Sequence, residues 1–264
     1  MKRVIFNQKG GVGKSTIAVN LASIAAYKNK KTLLIDMDPQ CNSSRYLLGE
    51  AMQDMTPTML DFFKSSLEYQ LFPKPEISFA HQTDFANLSI IPSHPEIGEL
   101  LGKLESRHKI YKLRDALKAL SKDFDEIIID TPSAYNFFTQ SALIAADSCL
   151  IPFDCDDFAR QALYTLINNV GEVQNDHNSA LQIEGIIVNQ FQPRSRLPQR
   201  LVDELIEEGL PVLNTKLSSS VKIRESHELK KPMIYMDARH KVSQEFISLY
   251  DELESAINQQ KQAA

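Results

Sequence analysis

The chain has 264 residues, 43% of them hydrophobic and 24% charged, with a formal net charge of −5. That length suits one large domain with a sizeable core, and the acidic balance excludes nucleic-acid binding by overall attraction, leaving only a local basic patch to do it. No apolar run approaches the roughly 20 residues that span a bilayer, and neither the three cysteines (Cys41, Cys149, Cys155) nor the six histidines have disulfide-framework or zinc-ligand spacing.

The first strand is predicted over 4–6, with no secretory leader before it, so reduced thiols in a cytoplasmic protein are expected. This run feeds directly into Lys9-Gly10-Gly11-Val12-Gly13-Lys14-Ser15-Thr16 and a helical stretch over 15–27. A strand, a glycine-rich loop and a helix in that order form a polyphosphate cradle. Glycines let successive N–H groups turn inward, Lys14 brings a mobile positive charge, and the Ser15 hydroxyl can ligate Mg²⁺. A second strand, 32–35, runs into Asp36-Met37-Asp38-Pro39, where period-two geometry points both carboxylates to one side of the sheet and Met37 to the other. The stretch 50–85, rich in Met, Pro and Phe, reads as short helices and loops on one edge of the fold.

Further strands are predicted over 88–91, 126–129, 149–153, 183–188 and 212–217, and helices over 109–120, 158–173 and 201–208. The strands are continuously apolar rather than alternating, so both faces are covered. Alternation of such strands with helices gives an α/β fold, a doubly wound, mostly parallel sheet with helices on both faces, here a single domain over 1–264. Ligands in such sheets bind at the carboxyl ends of the strands. The loop from Lys9 to Thr16, Asp38, Asp130 and Asn189 all fall there. Near the end of the chain, Phe246, Leu249, Tyr250, Leu253 and Ile257 form an apolar stripe flanked by Asp251, Glu252 and Glu254. Its acidic flank suits a core-packing helix better than one lying on anionic lipid.

The glycine-rich loop departs from the general P-loop by placing Gln8 where the first glycine is usual and adding Lys9 after it. This resembles the deviant Walker A loop of the ParA/MinD family of P-loop ATPases. The resemblance narrows to ParA (Soj-like) partition ATPases through Leu34-Ile35-Asp36-Met37-Asp38-Pro39-Gln40, Ile127-Ile128-Ile129-Asp130-Thr131-Pro132, Ala145-Ala146-Asp147-Ser148 with Leu150-Ile151-Pro152, and Ile186-Ile187-Val188-Asn189. These segments keep the family's order and cover nearly the whole chain.

The resemblance implies an ATPase using ATP and Mg²⁺. Residues 9–16 would bind nucleotide, with Lys9 reaching across a homodimer interface as an arginine finger does elsewhere. Asp38 would orient the attacking water, Asp36 support the Mg²⁺ shell, and Asp130 act as the Walker B acid, holding Mg²⁺ through water, with Ser15 as a direct ligand. For Asp36 the alternative of a turn-forming aspartate before Pro39 stays open. An amide carries both a donor and an acceptor, which matches the adenine edge, and in the family an asparagine at the position of Asn189 reads the base. The segment 217–224 corresponds to one that normally contains Ile-Pro-Arg; here Ser218 and Ser219 replace the proline and the arginine.

Family membership further implies slow hydrolysis stimulated by a ParB-like or adaptor partner, and non-specific DNA binding by the ATP dimer on the nucleoid. With the first strand beginning almost at Met1, the ATPase fold itself must touch DNA, and Arg194, Arg196, Arg200, Lys222 and Arg224 are the candidate contacts. The competing readings are a MinD-type membrane-cycling regulator, with stable membrane association not expected here, and a metabolic or metallocluster enzyme of the same superfamily.

Overall fold

The computed structural model describes residues 1–69, 71–155, 159–192 and 196–263. Strands β1 (Lys2–Ile5), β2 (Thr32–Asp36), β3 (His81–Gln82), β4 (Leu88–Ile91), β5 (Glu126–Asp130), β6 (Ser148–Asp154) and β7 (Gln182–Asn189) form one sheet in the order β3-β4-β2-β5-β1-β6-β7. Every pairing is parallel except that of the two-residue edge strand β3 with β4. The helices are α1 (Lys14–Tyr27), α2 (Asn42–Leu48), α3 (Met59–Leu67), α4 (Leu101–Ser106), α5 (Lys112–Leu120), α6 (Phe137–Ala145), α7 (Ala159–Asp176), α8 (Arg196–Glu207), α9 (Val221–Glu228), α10 (Met233–Met236) and α11 (Lys241–Ala263). The expected doubly wound architecture is present.

Consecutive strand residues go to opposite faces, so the apolar strands feed two cores at once. Val4, Leu33, Ile35, Met37, Ile127, Ile129 and Ile151 pack on one face against α3 to α7. Ile5, Leu34, Ile128, Leu150 and Ile187 pack on the other against α1 and α11. The expected split of Met37 from its flanking aspartates is realised. In α1 the small residues Ala18, Ala22, Ala25 and Ala26 are buried beside Ile17, Leu21 and Ile24, because the helix lies between the sheet and α11. The stripe of α11 is spent in that contact: Val242, Phe246, Leu249, Tyr250 and Leu253 are all buried. No helix among the described residues is long and apolar enough to cross a membrane.

The stretch 50–85 does fold as short pieces at the β3 edge, with 3-10 turns at Gly49–Asp54 and Glu76–Phe79 around α3. A capping box, Thr58 with Asp61, starts that helix. The strand expected over 212–217 is not formed. This segment forms one isolated bridge with β7, Ile186 with Val212, and a second bridge, Phe191 with Ser218, lies just past both ends. Between them the N–H groups of Asn214 and Thr215 donate to the Glu252 carboxylate at 2.7 and 2.9 Å instead of to β7, which breaks the ladder.

At the amino-terminal ends of the strands, Arg3 on β1 is fully buried. Its guanidinium donates to Glu184 on β7 at 3.0 Å, to Glu254 on α11 at 3.3 Å, and to Glu126 on β5. Lys30 bridges Glu126 and Glu254, and the Tyr250 hydroxyl donates to Glu126 at 2.7 Å. Burial alone would disfavour the guanidinium charge, but Glu126, Glu184 and Glu254 outweigh it and hold the Arg3 pKa above its ordinary value. Removing the arginine leaves buried carboxylates uncompensated, a loss of about 3–5 kcal/mol, whereas deleting one hydrogen bond to a charged group costs about 1.5–3 kcal/mol. Urea denaturation should therefore rank Arg3→Met well below Tyr250→Phe in stability; equal midpoints would show that the network is not the anchor of α11.

Candidate functional site

β1 ends one residue before Phe6, and the loop that follows is tied down at once. Asn7 donates to the Pro152 carbonyl at 2.6 Å and accepts from the Lys9 N–H at 2.8 Å. Gly11 and Gly13 take φ values of 78° and 88°, a left-handed backbone that side chains rarely adopt. Gly13 is doubly constrained, because a Cβ there would collide with the Asn189 side-chain amide. α1 then starts at Lys14, so its unpaired N–H groups open onto the loop. The Lys14 ammonium folds back over the loop to the Lys9 carbonyl at 3.2 Å and the Ser133 hydroxyl at 2.6 Å. Burial lowers its pKa, with Asp130 and Asp38 opposing that shift.

Asp36 and Asp130 are direct register partners across β2 and β5, and both are fully buried. Burial raises both pKa values, and the Asp130 charge raises that of Asp36 further. Asp36 is saturated by the protein: one oxygen accepts from the Asp38 N–H at 3.0 Å, the other from the Ser44 N–H and hydroxyl at 2.9 and 2.6 Å. It therefore positions Asp38 and α2. Asp130 accepts from the Ser43 hydroxyl at 2.7 Å, and Ser43 and Ser15 both favour its charged form, while its second oxygen is buried without a partner. An orphaned carboxylate oxygen beside a serine hydroxyl fits Mg²⁺ or a water in its shell, with phosphates completing the coordination. Asp38 lies at the cavity with one oxygen accepting from the Gln40 N–H at 2.9 Å.

Two cavities meet over the loop. One, of about 540 Å³, is lined by Gly10, Lys14, Asp38, Ser133, Tyr46 and His227 among others. The second, of about 220 Å³, is lined by Asn189, Leu217, Ser218, Ser219 and Arg224, and both share Gly11, Gly13 and Thr16. Asn189 donates to the Val12 carbonyl at 2.8 Å, and Gln190 donates to that of Gly11 at 3.0 Å. The polyphosphate-cradle residues and the candidate base reader are thus brought together, with Val12 buried beneath them.

Within its own subunit the Lys9 ammonium lies 3.8 Å from Asp154 at the end of β6. Among the basic candidates, Arg194 and the side chain of Arg196 lie outside the described residues. Arg200 on α8 is exposed and paired with Glu204 at 2.9 Å, and Lys222 on α9 with Glu225 at 2.5 Å, while Arg224 is exposed. Lys216, just ahead of the 217–224 segment, reaches Gln199 of α8 at 3.4 Å. Asn7, Ser43, Ser44, Ser133, Asp154 and His227 were not singled out from sequence. Only Ser133, following the Asp130-Thr131-Pro132 run, carries a local signal.

The comparisons agree with this geometry. The AAA domain family model matches residues 2–183. The chromosome partitioning protein ParA of Myxococcus xanthus is 34% identical over 94% of this chain and 86% of its own length. The sporulation initiation inhibitor protein Soj of Bacillus subtilis is 32% identical over 94% of this chain and 96% of its own. An ATP complex of Cyanothece McdA, 22% identical, superposes with a TM-score of 0.83 over 96% of each chain and shows the same fold. With a glycine-rich loop, paired strand-end aspartates and relatives of this kind along nearly its full length, the chain belongs to the ParA/Soj family of partition ATPases.

Proposed function

We propose that this chain is an ATP-dependent dimerising switch that binds DNA without sequence preference and segregates or positions a cargo, chromosome or plasmid DNA or a large protein assembly, with a ParB-like or adaptor partner. The observation that carries the reading is the convergence of Lys14, Ser15 and Asp38 on one cavity, with the buried Asp130 and its unpartnered oxygen acting electrostatically on Lys14. The apolar stripe that a membrane-cycling reading needs is covered by α1 and the sheet. The Soj and ParA relatives and the ATP complex of McdA support nucleotide binding and partition as the class of function.

In this reading ATP lies with its base over Asn189 and its phosphates on residues 9–16. Lys14 follows the β and γ phosphates. Ser15, and Asp130 through water, would hold Mg²⁺, which would supply positive charge against the phosphates. Asp38 orients a water whose oxygen attacks the γ phosphorus as the bond to the β-phosphate oxygen breaks, leaving ADP and inorganic phosphate. Lys9 of the second subunit places its charge on the oxygens where negative charge spreads. Asp36, saturated by Ser44 and the Asp38 N–H, keeps the backbone of Asp38 in place.

Light scattering of Asp38→Ala with ATP should show a dimer that does not hydrolyse, while Lys14→Ala should neither bind ATP nor dimerise. A strictly monomeric Asp38→Ala would defeat the sandwich arrangement.

The half-exposed Lys9 to Asp154 pair is worth under about 1 kcal/mol. Asp154→Asn should accordingly lower the ATP concentration needed for dimerisation by no more than about fivefold. A loss of dimerisation instead would mean that Asp154 supports the interface rather than parking the lysine.

DNA affinity, measured by anisotropy with ATP, should fall in Arg200→Ala and Lys222→Ala with hydrolysis unchanged. The salt slope should drop by about 0.9 per lost phosphate contact. Affinity that is unaltered in both, or equal without ATP, would move the DNA surface elsewhere.

A further inference from the structure

Across the larger cavity from the glycine-rich loop stands a wall that no sequence motif marks. The last turn of α9 brings His227 Nε2 to 3.2 Å from the Thr16 hydroxyl. The ring packs edge-on against Tyr46 with centroids 4.3 Å apart, and the Tyr46 hydroxyl pairs with Ser226 at 2.6 Å, so the imidazole is fixed from two sides. Burial, with Lys230 adding to it, holds the His227 pKa below its ordinary value.

Two residues beyond α9, Lys230 takes a φ of 54°, a left-handed backbone that is unfavourable for a non-glycine residue. Its stem lies across Gly49, where a Cβ would come within 3.2 Å of the Lys230 Cγ. Strain of this kind persists where the surroundings fix it and is concentrated at ligand clamps. Here it sets Lys230 on the lining of the cavity that holds Lys14 and Asp38.

Thr16 gives the arrangement its sense. It lines both cavities with Gly11 and Gly13, so a nucleotide running from Asn189 to Lys14 must cross the loop at Thr16 with its α-phosphate end. His227 stands at that crossing, and Lys230 on the wall of the phosphate cavity.

We propose that His227 and Lys230 clamp the nucleotide's polyphosphate from the side opposite the glycine-rich loop, His227 donating to the α-phosphate end at Thr16 and Lys230 adding a mobile charge. The inference rests on the reading of this cavity as a nucleotide site. It makes α9, which also carries Lys222 and Arg224, a nucleotide-contacting helix.

The test is calorimetric titration of the full chain with ADP and Mg²⁺, alongside thermal melting without nucleotide. A hydrogen bond to a charged group is worth about 1.5–3 kcal/mol, so His227→Ala should weaken ADP by tenfold or more, and His227→Gln, which restores a donor, should recover part of it. Lys230→Gly relieves the backbone and should melt no lower than the parent, yet bind ADP several-fold more weakly. Thr16→Ala combined with His227→Ala should lose less than the sum of the two singles. If the parent chain binds no ADP, the nucleotide reading itself fails. If it binds, and both His227→Ala and Lys230→Gly bind equally well, the clamp alone is overturned. Parallel losses of melting temperature and affinity in Lys230→Gly would reduce that residue to a structural part.

Discussion

Two carboxylates placed side by side in the centre of a parallel sheet set the terms for the rest of the molecule. Asp36 and Asp130 are adjacent across β2 and β5 with no exposure to water. Such a pair resists ionisation unless its surroundings stabilise the charges. The surroundings comply in a specific way. α2 begins with Ser43 and Ser44, whose hydroxyls turn back to the two aspartates, and Lys14 arrives from α1 as the nearby cation. Asp36 is fully satisfied and Asp130 is left one acceptor short, so the pair divides into a structural and a chemically available member. The chain direction from β2 into α2, the entry of α1 and the site for a divalent cation follow from one electrostatic problem.

The other end of the same strands solves the opposite problem. Arg3, on the same β1 that leads to the glycine-rich loop, is neutralised by acids from β5, β7 and α11. Because Glu254 and Tyr250 belong to α11, the network fixes the helix that covers α1, and α1 in turn begins at Lys14. The loop is thereby hung between two rigid ends. Its own hydrogen bonds, Asn7 to Pro152 and Asn189 to Val12, bind it to β6 and β7 rather than to solvent. Pre-placed donors of this sort need little rearrangement when an anion arrives.

Most of the strands were legible because fully buried parallel strands are continuous apolar runs, and the cradle because its residues are contiguous. What was illegible depended on contacts distant in sequence. The 212–217 run has the apolar composition of a strand, and its ends do bond to β7, as when Leu213 donates to Ile186 at 3.0 Å. Glu252, nearly forty residues later, captures the intervening N–H groups, and no local pattern announces that. β3 was missed for a different reason: two residues carry no period. Within the site, Asp36, Asp38, Asp130 and Asn189 could be placed at strand ends from the sequence, but Ser43 meets Asp130, and Asp154 and His227 meet the loop, only after folding. The same holds for Lys9, whose contact with Asp154 joins it to the end of a strand 145 residues on.

The pairing of Lys9 with Asp154 bears on how such a loop can serve two subunits. A lysine held by a deeply buried carboxylate would be lost to any other target, since breaking such a pair costs several kcal/mol. Asp154 is instead about one-third exposed and the separation is 3.8 Å, so water and salt already weaken the attraction. A triphosphate brings several charges to the mouth of the loop, and against these the partly solvated Asp154 carboxylate competes poorly. The Asp154 contact therefore retains the ammonium only weakly. A glycine-rich loop supplies the complementary property, because Gly10 and Gly11 put no side chain in the way of a swing about the backbone. Weak retention and an unobstructed path are together what a residue needs if it is to act on a nucleotide outside its own subunit.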